Sequence, residues 1–161
     1  MKLTTHLQSN VRDTGIYCSL LNESAETLYQ GTGLPEYWIV ILGVTQPALA
    51  RQTAIDFLFS LADDYTYLRQ RLELLRTATK AESMDIFNWM RARPEDHHLH
   101  MAVQALTRYC IGPKPFLLRD PIVHARAYLM SKGATKEQAQ QEIYEFLHNA
   151  VSLETWKGGY V

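Results

Sequence analysis

A chain of 161 residues, 47% apolar and 20% charged, is long enough to fold as one domain that buries about two thirds of its unfolded surface, which excludes a disordered tail or a fibre. Cys18 and Cys110 make no disulfide framework, polar residues follow Lys2 where a secretory signal would be apolar, and the longest apolar run, residues 37–44, is far short of the ~20 residues that span a bilayer. A soluble protein of the reducing cytoplasm is expected. The net charge of −1 conceals a segregation: residues 1–67 carry three cations against seven anions, residues 68–132 eleven against six, and residues 133–161 two against four. A basic middle lies between acidic ends, and either balances them internally or presents a face to an acidic partner.

Residues 1–14 show no period and read as a flexible arm. The next thirty admit two readings. Residues 16–21, 27–31 and 37–44 could form a short β-meander, with turn residues between them and β-branched Ile39, Val40, Ile41 and Val44 in the last. They could equally form short helices, with Pro35 and Glu36 opening one. Helices are preferred, because helical partners cover a helical seam most simply.

That seam is the strongest periodic signal in the chain. Ala54, Leu58, Leu61, Tyr65, Leu68, Leu72 and Leu75 alternate steps of four and three, which places them on one face of a helix over residues 47–78. A bend is expected near Asp63 and Asp64. Arg69, Arg71 and Arg76 lie off the seam, with Glu73 spaced to pair with both Arg69 and Arg76. Beyond it, Ser83 is expected as the N-cap of a short helix over 84–93 that ends in Arg91 and Arg93 before Pro94. Glu95 and Asp96 then start a helix with Leu99, Val103, Leu106 and Cys110 inward, stopped by Gly112-Pro113-Lys114-Pro115. Asp120 and Pro121 open the next, with Ile122, Ala125 and Leu129 inward and Gly133 closing it. Thr135 and Gln138 form the capping box of a last helix carrying Ala139, Ile143, Phe146, Leu147 and Ala150 on one face. Residues 154–161, with Trp156 and Tyr160, read as a flexible tail.

Few constellations carry chemistry. Glu95 with His98 and Glu145 with His148 have the Glu-x-x-His spacing of di-metal helical bundles, but no lone glutamates stand where such a site needs them. His97, His98 and His100 read as a solvated helix face, since zinc needs further ligands. Both cysteines fall in apolar runs, and neither Gly-x-Ser-x-Gly nor Gly-x-x-x-x-Gly-Lys occurs. A helix-turn-helix reading of residues 121–150 is opposed by Glu137, Glu142 and Glu145 on the would-be recognition helix.

The expectation is a mainly α, single-domain bundle over residues 1–161, built around one long central helix, with no cofactor and no metal. Its function is expected to be non-catalytic: binding another macromolecule, a protein with an acidic surface, through exposed helix faces. Arg71, Arg91 and Arg93 are the first candidates for that contact and Arg69 and Arg76 the next. Two alternatives are a nucleic-acid-binding regulator that uses residues 68–132, and an enzyme whose site only the fold would assemble.

Overall fold

Helix ends, more than helix interiors, decide how this chain is divided. The computed structural model describes residues 35–93, 95 and 97–159, with side chains through residue 149. The described residues are mainly α and contain no strand: α1 (Glu36–Thr45), α2 (Pro47–Leu61), α3 (Thr66–Leu75), α4 (Lys80–Arg91), α5 (His98–Ile111), a 3-10 turn η1 (Pro115–Leu118), α6 (Arg119–Ser131) and α7 (Lys136–Gly159). Residues 37–44 are therefore helix and not a strand of a meander; the rest of the expected meander, residues 15–34, lies outside the described residues, as does the arm at 1–14.

The expected long helix is two helices. Ala62 closes α2 by donating to the Phe59 carbonyl, and Tyr65 N–H then turns back to the Ala62 carbonyl at 3.0 Å. Asp63 and Asp64 supply the reason. Acids are unfavourable at the negative C-terminal end of a helix and favourable at the N-terminal end of the next one, so a break here puts both where the dipole of α3 favours them. Most of the seam is buried as expected, Ala54, Leu58, Leu68, Leu72 and Leu75 each at 0% exposure, but Leu61 and Tyr65 flank the break and are only half-buried. The best-connected helix is consequently α5, which packs against α2, α3, α4, α6 and η1. Its inward stripe of Leu99, Val103, Leu106 and Cys110 is buried, and Gly112 ends it.

The cap of α4 also differs from expectation. Thr79, not Ser83, is its N-cap: Thr79 Oγ1 accepts from Glu82 N–H at 3.1 Å and the Glu82 carboxylate accepts from Thr79 N–H at 2.9 Å. That box satisfies two orphan amides where a lone serine satisfies one. Ser83 lies inside the first turn, fully buried, with no partner for its hydroxyl. The capping box of α7 forms as expected between Thr135 and Gln138, and Gly133 takes φ +107° at the end of α6. The backbone of α7 continues to Gly159, across most of the segment read as a tail.

Two polar links tie helices together inside this frame. Arg51 of α2 donates through Nε and Nη2 to the Leu75 carbonyl at the end of α3 and through Nη2 to the Ala78 carbonyl at 3.0 Å, so a cation closes the negative end of α3. Arg126 of α6 makes a two-pronged ion pair with Glu36 at the start of α1, at 2.9 and 3.2 Å. The Glu36 side chain is 2% exposed. Around it α1 is apolar on nearly every side, enclosed by α2, α6, α7 and η1, with Trp38, Ile39 and Leu42 fully buried. Gly43 lets η1 approach: a Cβ there would stand 2.7 Å from Leu118 Cδ1.

Candidate functional site

The five candidate arginines divide by whether a carboxylate accounts for them. Arg69 was expected to pair with Glu73, one turn away; it reaches back across the α2–α3 break to Asp63 at 2.9 Å and covers the Phe59 ring at 3.9 Å. Glu73 pairs with Arg76 at 3.0 Å, and Arg76 also holds Asp56 of α2 at 2.7 Å. Burial works against the Arg76 charge, but Glu73 and Asp56 outweigh it and hold its guanidinium above the usual value. Both arginines thus fasten α3 to α2.

Arg71, Arg91 and Arg93 have no ion pair among the described residues. Arg71 is half-buried, its guanidinium 3.8 Å from the centroid of Trp89, and its Nε is buried without an acceptor. Arg93 lies over the same ring at 4.5 Å and donates to the Trp89 carbonyl at 3.2 Å. Arg91 is exposed in the last turn of α4. Trp89 therefore brings two of the three arginines together, one from α3 and one from the turn that follows α4, and Tyr67 adjoins it with ring centroids 6.3 Å apart. On the other side of Arg71 an open groove of ≈ 650 Å³ is lined by Phe59, Arg69, Leu74 and Thr77, with Leu74 52% exposed.

Behind this face lies a polar cluster that sequence reasoning placed in solvent. His98 is exposed, but His97 is half-buried and His100 is 1% exposed. The helix expected to start at Glu95 starts at His98, because His97 is its N-cap: His97 Nδ1 accepts from His100 N–H at 3.1 Å. Tyr67 Oη lies 2.8 Å from His97 Nε2 and 3.2 Å from His100 Nδ1. Tyr65 stacks on His97 at 4.6 Å with an interplanar angle of 17°. Burial above all, then Glu95 and Tyr65, pushes the Tyr67 phenol up to about 12. Tyr65, Tyr67 and Trp89 were not among the expected site residues; the His-x-x-His spacing before an apolar stripe was the available signal for the imidazole cap.

The remaining candidates stay apart. Glu145 accepts from Gln141 at 3.1 Å, whereas His148 stacks on Tyr144 at 5.4 Å and meets Trp38 edge-on. No group of three metal-ligating side chains occurs among the described residues. Burial pushes the Cys110 thiol up to about 11, which suits a small core residue and not a nucleophile; Cys18 lies outside the described residues. No described helix is long and apolar enough to cross a membrane. Comparison of the chain with protein-family models, curated proteins and solved structures finds no match.

Proposed function

We propose that the chain is a non-catalytic, cytoplasmic helical protein that binds a protein partner with an acidic surface, through Arg71 and Arg93, which stack on Trp89, and Arg91 in the last turn of α4. The observation that carries this reading is the pair of guanidiniums held on one indole ring with no carboxylate accounting for either among the described residues. Tryptophan, tyrosine and arginine are the side chains that dominate protein–protein hot spots, and a planar guanidinium pre-oriented on a ring gives up little entropy when it takes a carboxylate.

A second reading, nucleic-acid binding through residues 68–132, draws on the same stacked cations. The neighbouring Asp63, Asp64 and Glu95, all exposed, weigh against a phosphate backbone here. The test replaces Arg71, Arg91 and Arg93 together by Glu and compares nuclease-treated captures from host lysate, read by mass spectrometry. Specific capture should disappear from the variant while its melting curve stays that of a folded protein. Capture unchanged at low and physiological salt would refute the reading, and capture lost on nuclease treatment would favour the second.

A further inference from the structure

The hydrogen bonds among Tyr67, His97 and His100 fix where His97 carries its proton. His97 Nδ1 accepts the amide hydrogen of His100, so it carries a lone pair and the ring proton sits on Nε2. That Nε2–H donates to Tyr67 Oη, whose own hydrogen is then free to donate to His100 Nδ1. When His100 Nδ1 accepts that hydrogen, the His100 proton sits on Nε2, which has no hydrogen-bond partner among the described residues. His97 is neutral in this arrangement.

The two histidines respond differently to a second proton. On His100 Nδ1 it would face Tyr67 Oη, and a hydroxyl has two lone pairs, so the tyrosine could rotate its hydrogen away and accept from both rings. On His97 Nδ1 it would face the His100 amide hydrogen directly. The N-cap bond is lost, and a cation is placed at the positive end of the α5 dipole.

We propose that His97 is an acid-sensitive latch: its protonation uncaps α5 and releases the N-terminus of that helix from Tyr65 and Tyr67 of the α3 segment. The inference stands whatever binds at the arginine face. Burial is the first cause holding both imidazoles below their ordinary value. At His97 the neighbouring His100, His98 and Lys132 act in the same direction and Glu95 opposes them; at His100 the Met90 backbone and Glu95 oppose. Tyr65 and Tyr67 face the ring from α3. A depressed folded-state value means that the latch is fully closed above the ordinary histidine value of about 6.5 and loses stability as pH falls below it.

The test is amide hydrogen exchange of the full chain between pH 7.5 and 5, corrected for the intrinsic rate at each pH. In the wild type, protection of the first turn of α5 should fall by up to about tenfold for each pH unit below about 6.5, as one linked proton requires. His97→Asn keeps a cap acceptor that does not titrate, so its protection should not follow pH. A wild-type-like pH profile in that variant overturns the proposal. Imidazole 15N spectra of the wild type decide independently of the variant: at pH 7.5 the His97 proton belongs on Nε2, and finding it on Nδ1 overturns the proposal as well.

Discussion

Replacing Arg126 by Met should be among the most damaging single changes on the α1–α6 contact, although it swaps one long side chain for another. Both Glu36 oxygens bond to Arg126, at 2.9 and 3.2 Å, and the Glu36 side chain is 2% exposed against 14% for Arg126. Removing the guanidinium strands a carboxylate that water does not reach, a situation that costs about 3–5 kcal/mol. For a chain of this size that corresponds to a fall in melting temperature of roughly 6–20 °C, at about 2–4 °C per kcal/mol. Glu36→Leu should cost less, because the more exposed Arg126 can turn its head to water. Glu36→Leu with Arg126→Met should return close to wild type, since buried pairs rarely outdo well-packed apolar replacements. Urea unfolding at pH 7 of the four proteins measures all three terms. A loss under about 1 kcal/mol for Arg126→Met, the ceiling for a solvent-exposed pair, would show that solvent reaches Glu36 and refute the reasoning.

Leu68, at 0% exposure in α3, should lose about 2–5 kcal/mol on truncation to Ala by leaving a cavity, and an unchanged denaturation midpoint would mean that the seam is not core. Thr79→Ala should cost about 1 kcal/mol by removing the α4 cap, whereas Ser83→Ala should be neutral or stabilising because its buried hydroxyl has no partner. The reverse order in the same urea experiment would restore Ser83 as the cap.

What was legible in the sequence is what short spacing decides. The stripe of Leu99, Val103, Leu106 and Cys110, the Thr135–Gln138 box and the Gly112 stop each involve residues within a few turns of one another, and each stands where the spacing puts it. Asp63 and Asp64 signalled a bend, yet a break rather than a curve followed from which helix end the acids prefer. The charge pairings were not legible. Glu73 is three residues from Arg76 and four from Arg69, but Arg69 has Asp63 on the far side of the break, and Arg76 takes a further partner twenty residues back at Asp56. Nor was the burial of His100, because it depends on Tyr67, thirty-three residues earlier in the chain, offering its hydroxyl to both rings. A polar residue beside an apolar stripe reads as solvated until the fold supplies its partner.

Several helix ends in this bundle are closed by side chains, and that has a consequence for how the protein responds to pH. Thr79 and Thr135 cap α4 and α7 through hydroxyls, and Arg51 closes α3 through a guanidinium; none of these changes charge between pH 5 and 8. His97 serves α5 with an imidazole, the one side chain whose ordinary titration falls in that range. Since α5 is the helix that α2, α3, α4 and α6 share, an acid-labile cap there lies at the point of greatest connectivity. Yet only its first turn depends on the cap. The buried stripe from Leu99 to Cys110 holds the rest of the helix by apolar packing that pH leaves unchanged, so mild acid should loosen the α3–α5 junction well before it unfolds the bundle.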